Sequence, residues 1–313
     1  MVSNELKIGN LKIGENYPAL IVPEIGINHN GNLDVAIKMV DAAKKSGAKI
    51  IKHQTHIPED EMSVEAKKVK PGNSKKNIFS IIKDCSLSEE DEFKLFKYVK
   101  SKKMVFISTP FSKKAVDRLI KFGINAFKIG SGEFNNIPLL QYITKFKKPL
   151  ILSTGMNDLK QTKEIYKFLK KRGSKFAFLH TTSLYPTPDK LVRLNSINEM
   201  RKEFPKLLLG YSDHTVCLNA CISAISIGAS IIEKHFTDSK KRNGPDIVCS
   251  MDPSELKELI IKSNKIHNQL KGSKNHLYQE EVTRKFAFVS VVSDREIKKG
   301  EKFSKKNLWV RRP

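Results

Sequence analysis

A (β/α)8 barrel followed by a small β-rich module is the fold this sequence predicts, and three observations predict it. Eight short apolar runs recur over about 260 residues. Each is followed by a polar cluster and, in most cases, by a segment with apolar residues at helical spacing, the pattern of alternating strands and helices. The polar clusters stand at the C-terminal ends of the runs, where a barrel builds its active-site face. A doubly wound sheet is the rival for such alternation, and no Gly-x-Gly-x-x-Gly follows the first run.

Taken in order, residues 19–25 form the first run, which carries Glu24 and opens into the turn-rich Gly26-Ile-Asn-His-Asn-Gly31. Residues 33–46 place Val35, Ile37, Met39, Val40 and Ala43 at helical spacing and end at Gly47, a helix stop. The second run, 48–55, has Lys52 and Gln54 at its far end. A long polar excursion from His56 to about Ser86 follows, with a turn signal at Pro71-Gly-Asn73; loops of that length are uncommon unless functional, so it is expected to be a lid or a substrate-facing loop. Ser88 with Glu89-Glu90-Asp91 marks a capped helix whose buried stripe is Leu95, Phe96 and Val99. Runs at 104–108, 126–129, 149–152 and 176–179 end in Thr109-Pro-Phe111, Gly130-Ser-Gly-Glu133, Ser153-Thr-Gly155 and His180-Thr-Thr-Ser183. The last two, 207–209 and 230–232, end in Gly210-Tyr-Ser-Asp-His214 and Glu233-Lys-His235. A final helix spans 253–270, giving a barrel domain of residues 1–270.

The text then changes. Residues 271–285 read as a polar linker, and Phe286 opens an alternating run that predicts a short strand. The module of residues 286–313 holds the single tryptophan and is too small to build a core alone. It is expected to be truncated, or completed by contacts with the barrel or another subunit.

Composition narrows the class. The 39% hydrophobic and 29% charged fractions are those of an ordinary globular protein. No apolar run approaches the roughly 20 residues of a membrane span, and the first ten residues lack a signal-peptide core, so a cytoplasmic location with no membrane partner is expected. Cys85, Cys217, Cys221 and Cys249 show no CxxC spacing and read as free thiols, with Cys217 and Cys221 one turn apart on a buried helix face. The net charge of +24 tempts one toward nucleic acid, but the lysines are spread over nearly every helix rather than gathered with aromatics. They read as a solvated surface whose positive potential favours anionic substrates.

On a barrel, Glu24, Lys52, Gln54, Thr109, Lys128, Ser131, Ser153, Ser212, His214 and His235 converge on one rim. Two imidazoles at one rim make a divalent-metal pair; the alternative is two unrelated histidines satisfied by backbone carbonyls. Lysines with glycine-flanked serines suit a phosphate. Lys128 has two rival readings, an interior lysine paired with a carboxylate and a Schiff-base lysine. The histidine pair disfavours the second, since a metal polarises an aldehyde without an imine.

Beyond these readings, Pro23-Glu-Ile-Gly-Ile-Asn-His-Asn-Gly31, Lys52-His-Gln-Thr-His56, Glu59-Asp-Glu-Met-Ser63, Ile107-Ser-Thr-Pro-Phe111, Lys128-Ile-Gly-Ser-Gly-Glu133, Leu152-Ser-Thr-Gly-Met156, Tyr185-Pro-Thr-Pro188, Ser212-Asp-His-Thr215, Glu233-Lys-His-Phe-Thr237 and Gly244-Pro-Asp-Ile-Val-Cys-Ser-Met251 resemble, in order, the motif set of bacterial sialic acid synthases. The resemblance implies condensation of phosphoenolpyruvate with open-chain N-acetylmannosamine, giving N-acetylneuraminate and phosphate by C–O cleavage. The implied cofactor is a divalent ion, manganese with magnesium or cobalt as substitutes. By the same resemblance His214 and His235 are the metal ligands and Glu24 the acid/base, with Lys52 and Lys128 also catalytic. Lys52, Thr109, Lys128, Ser131, Ser153, Ser183 and Ser212 correspond to the phosphoenolpyruvate site, and Gln54, Tyr185, Asp246 and Arg312 to the sugar site. Asn73 and Glu133 belong to the same motif set without a divided role. Ser183 stands where relatives often carry asparagine. Asn307-Leu-Trp-Val-Arg-Arg-Pro313 resembles the opening of an antifreeze-like (SAF) domain, whose Arg312 position reaches a partner's site in a domain-swapped homodimer. Two other readings stand beside this one: the same chemistry on another 2-acetamido hexose, as in legionaminate synthesis, and a catalytically weak basic binding protein.

Overall fold

The computed structural model describes residues 5–70 and 76–313. The chain divides into two units, Met1–Leu270 and Lys271–Pro313.

The first unit opens on an antiparallel hairpin, β1 (Glu5–Ile8) and β2 (Leu11–Gly14), which the reading of the sequence passed over. Its signal is present: Leu6 and Ile8 alternate with charged residues on one side of Gly9-Asn10, and Leu11 and Ile13 do so on the other. Gly9 sits in the left-handed region that this two-residue turn needs.

Eight strands then close into a parallel barrel, β10 returning to β3. They are β3 (Leu20–Glu24), β4 (Ile50–Thr55), β5 (Val105–Pro110), β6 (Phe127–Ile129), β7 (Leu150–Ser153), β8 (Phe176–Thr181), β9 (Leu208–Asp213) and β10 (Ile231–His235). All eight expected runs form strands. Several run past the apolar stretch into the polar cluster, so that Thr109, Ser153, Ser212 and His235 lie within strands rather than in the loops after them. The cause is the period of two. Residues facing the barrel axis are apolar at the bottom (Val22, Ile50, Ile107, Ala126, Ile151, Leu179, Ile231), where Leu6, Ile8 and Ile13 of the hairpin pack as a plug. Two residues further along the same strands stand Glu24, Lys52, Thr109, Lys128, Ser153, Thr181 and Glu233.

The alternate residues face the helices, chiefly α1 (Leu33–Lys45), α4 (Glu89–Ser101), α5 (Lys113–Phe122), α6 (Ile137–Ile143), α7 (Leu159–Lys171), α8 (Asn195–Glu203), α9 (Asn219–Ser226) and α10 (Pro253–Gln269). Cys221 is buried on α9, but Cys217 precedes that helix and is exposed, which corrects the expected buried pair. The excursion after β4 is partly helical: α2 (Pro58–Glu61), a 3-10 turn at Val64–Lys67 and α3 (Ile78–Cys85), capped by Asn77 accepting from the Ser80 amide. The expected turn at Pro71-Gly-Asn73 lies outside the described residues.

Two polar residues on the outward face of the barrel wall are fully buried: Lys234 Nζ donates to Asp213 Oδ2 at 2.6 Å. Burial opposes the Asp213 charge, yet Lys234 outweighs it and holds the carboxyl below the usual carboxylate range. A group with a lowered folded value stabilises above its unfolded value, and that contribution is lost as pH falls through the folded one. Asp213→Asn leaves the ammonium buried without its counter-ion, and a loss of about 3–5 kcal/mol is expected from denaturant unfolding at pH 7. The gap between the variant and the parent should narrow below about pH 4. An unchanged midpoint would show that the pair carries no net stability.

In the second unit a 3-10 turn at Tyr278–Glu280 runs into α11 (Glu281–Ala287), and β11 (Ser290–Ser293) pairs antiparallel with β12 (Leu308–Arg311). The strand expected from Phe286 therefore begins later. Val282 and Phe286 are four apart, so this short apolar run suits a helix as well as a strand, and its first part is helical.

Candidate active site

The top of the barrel encloses a cavity of about 460 Å³. Of the site residues expected from the sequence, Glu24, Lys52, Gln54, Thr109, Lys128, Ser131, Ser153, Ser183, Tyr185, Ser212, His214, His235 and Asp246 all line it. Strand register brings them together, since Glu24 pairs with both His235 and Lys52, and Ser212 with Glu233. Arg312 lies in the second unit, exposed, one residue past β12. Glu133 is not in the cavity wall; burial raises its carboxyl, which accepts from Asn136 Nδ2 at 2.7 Å. Asn73 is outside the described residues.

Two charge pairs form the floor. Lys52 Nζ donates to Glu24 Oε2, while Glu24 Oε1 accepts from Gln54 Nε2 at 3.0 Å. Lys128 Nζ donates to Ser153 Oγ at 2.8 Å and to the Ile129 carbonyl at 3.0 Å, and faces Glu233 Oε1 at 3.5 Å. Burial pushes Lys128 below the usual lysine range; Glu233 works against that shift and Lys52 with it. For Glu233 burial opposes the charge, but Lys128 and Lys52 outweigh it and hold the carboxyl low. Ser131 Oγ accepts from the Gly155 amide at 3.1 Å. A Cβ on Gly155 would stand 2.5 Å from Ser183 Oγ and 2.7 Å from Ser131 Oγ, so only glycine brings this backbone amide into the serine cluster.

Buried polar atoms normally have partners. Among the described residues, seven buried side-chain atoms have none, and four of them, Thr109 Oγ1, Ser183 Oγ, Glu233 Oε2 and His235 Nδ1, belong to this cavity wall. That concentration marks a surface shaped for a polar ligand. Lysines beside short hydroxyl donors and a glycine-flanked amide match an oxyanion such as phosphate.

The other side of the cavity holds the imidazoles. His214 and His235 ring centroids are 5.5 Å apart. His214 Nδ1 lies 2.8 Å from the Thr182 carbonyl, which can only accept, so Nδ1 carries the proton and Nε2 keeps its lone pair. Burial, reinforced by the neighbouring His235, lowers His214 to about 4. His235 falls to about 4 for the same first reason, with Lys52 acting in the same direction. Both rings are neutral at pH 7. Asp246 Oδ2 stands 3.6 Å from His235 Nδ1, and burial raises its carboxyl. Among the described residues no three His, Cys, Asp or Glu side chains form a metal-holding group. Two neutral imidazoles, one with an unpartnered buried nitrogen, nevertheless fit a divalent cation in an open site completed by water or substrate.

Sequence reasoning gave no role to Glu233, His56, Thr181, Phe111, Ile78, Ile82 or Met156, all of which line the cavity. The signal for the first three was the strand period: Glu233 is two before His235, His56 two after Gln54 and Thr181 two after Leu179. Ile78 and Ile82 share a face of α3, and no helix was expected there.

Known proteins resemble this chain in sequence and fold. A model of the NeuB family matches residues 39–275. The N,N'-diacetyllegionaminic acid synthase of Campylobacter jejuni is 37% identical, over 94% of this chain and 90% of that protein. The human N-acetylneuraminate-9-phosphate synthase is 33% identical, over 79% and 70%. The crystal structure of an N-acetylneuraminic acid (sialic acid) synthetase from Leptospira borgpetersenii, in complex with citrate, superposes with a TM-score of 0.81 at 29% identity, covering 90% of this chain and 95% of that one. Among the described residues no helix is long and apolar enough to cross a membrane.

Proposed function

The chain belongs to the NeuB family of sialic-acid-type synthases, and on that premise we propose that it condenses phosphoenolpyruvate with the open-chain form of a 2-acetamido hexose, consuming water and releasing phosphate. The observation that supports this most is the gathering of unpartnered buried donors and acceptors around Lys128 on one side of the cavity and the neutral histidine pair on the other. Lys128, Ser131, Ser153, Ser183, Ser212, Thr109 and the Gly155 amide would hold phosphoenolpyruvate. A divalent cation, manganese or in its place magnesium or cobalt, would be held by His214 and His235 beside Asp246 and would supply a Lewis acid for the sugar aldehyde.

The protein's own residues account for the rest. The enol carbon of phosphoenolpyruvate forms a bond to the aldehyde carbon, and the phosphate-bearing carbon becomes electron-poor. The carbonyl π bond opens with its electron pair left on the aldehyde oxygen, which becomes the product hydroxyl. Glu24, oriented by Lys52 and Gln54, takes a proton from the water that adds at the electron-poor carbon to supply that hydroxyl, and the remaining proton of the added oxygen leaves with the phosphate. The tetrahedral carbon then loses phosphate with its bridging oxygen, and Lys52 and Lys128 stabilise the charge that develops on the leaving group.

Two acceptors follow from the sequence, N-acetylmannosamine and its 6-deoxy diacetamido analogue. Ile78, Ile82, Phe111 and Met156 give the cavity apolar walls, which favour a deoxy end and a second acetyl group over hydroxyls. Phosphate release with manganese, and with EDTA as control, distinguishes them. We expect metal-dependent release with kcat/KM at least about tenfold higher for the diacetamido sugar. Faster turnover of N-acetylmannosamine would reverse the acceptor assignment, and no release with either sugar would overturn the reaction.

A further inference from the structure

His56 stands in the cavity wall where β4 leads into α2, and it is buried. Its ring stacks on Phe111 with centroids 4.1 Å apart and planes 12° from parallel, so its edge is held in a fixed direction. Nε2 lies 2.9 Å from Gln54 Oε1, and Nδ1 lies 2.8 Å from Glu61 Oε1 on α2. The far end of the Gln54 amide, Nε2, donates to Glu24 at 3.0 Å. Turning that amide round would set its oxygen against the Glu24 carboxylate, two acceptors facing each other. The orientation is therefore determined, and Oε1 is the atom that meets His56. An amide oxygen only accepts, so His56 donates to it from Nε2 while Nδ1 shares a hydrogen bond with Glu61.

Both ends of this chain of bonds are anchored. Glu61 Oε2 accepts from the Ile57 amide at 3.2 Å. On the other side, a Cβ on Gly26 would come within 2.8 Å of Gln54 Nε2 and 2.6 Å of Glu24 Oε1, so the Gly26 backbone is packed onto the same amide and carboxylate. The Gln54 amide is clamped between a backbone turn and an imidazole.

We propose that His56 is a positioning residue for the acceptor sugar: by donating to Gln54 Oε1 and bonding to Glu61 it fixes the Gln54 amide against Glu24 and ties α2 to that carboxylate. The inference rests on the proposed reaction, with Gln54 on the sugar side.

Two variants and one spectroscopic reading test it. His56→Phe keeps a ring on Phe111 but has nothing to donate; the KM for the acceptor is expected to rise about tenfold or more while the KM for phosphoenolpyruvate stays within about twofold. Glu61→Ala, which leaves the imidazole in place, should shift the acceptor KM in the same direction by less. Independently of turnover, long-range nitrogen–proton correlation on the whole protein is expected to show His56 Nε2 carrying a proton. An unchanged acceptor KM in a folded His56→Phe enzyme overturns the proposal. So does a fall in kcat with neither KM moved, which would place the effect on Glu24 and not on the acceptor, and so does an unprotonated Nε2. If the parent enzyme releases no phosphate with either sugar, the proposed reaction fails, and the nitrogen spectrum alone decides the bonding of His56.

Discussion

Lys128→Met is expected to abolish turnover, with kcat/KM falling by about a thousandfold or more, because the ammonium proposed to meet the leaving phosphate is removed. The same change is expected to destabilise the fold. Glu233 is buried, its Oε1 faces Lys128 at 3.5 Å and its Oε2 has no partner, so the variant strands a carboxylate inside the barrel. Breaking a buried pair in this way costs about 3–5 kcal/mol. The two effects separate in a double variant. Lys128→Met with Glu233→Gln removes both charges, so most of the lost stability should return in denaturant unfolding while turnover stays absent. Activity returning together with stability would mean that Lys128 serves only as the structural partner of Glu233, the reading that the sequence left open for it.

His235→Ala is expected to abolish metal-dependent turnover and to cost little stability. Its Nδ1 makes no hydrogen bond, so the fold loses contact area but no polar partner is orphaned. Calorimetric titration with manganese should show affinity falling by about a hundredfold or more, since one of two imidazoles is gone. His214→Ala should lose metal in the same way but unfold more easily by about 1 kcal/mol, because the Thr182 carbonyl loses its donor. Manganese affinity unchanged in both variants would remove the metal assignment and leave the pair as two buried histidines.

How much of this was legible in the sequence follows from the barrel's layering. The eight strands were visible because their lower halves are continuous apolar runs, buried on both faces. The site was visible because the axis-facing residues turn polar near the top of the strands, so that eight of them, with five residues from the loops beyond, converge on one cavity. What escaped detection is set by tertiary pairing. Glu233 looked like part of a motif string, and only the approach of Lys128 from β6 gives it a charge partner. The hairpin was overlooked because its four apolar residues are few, and what they bury against is the floor of a barrel closed by strands far along the chain. Val282 and Phe286 carried both periodicities, and no sequence argument ranks them over so short a stretch.

The most direct test of the proposed chemistry uses phosphoenolpyruvate labelled with heavy oxygen at the bridging position between carbon and phosphorus. With manganese and the diacetamido acceptor, C–O cleavage predicts that the label leaves in the inorganic phosphate, while a solvent oxygen appears in the sugar acid. Unlabelled phosphate, with the heavy oxygen retained in the product, would mean that the P–O bond breaks and would contradict the roles of Glu24, Lys52 and Lys128 in this mechanism.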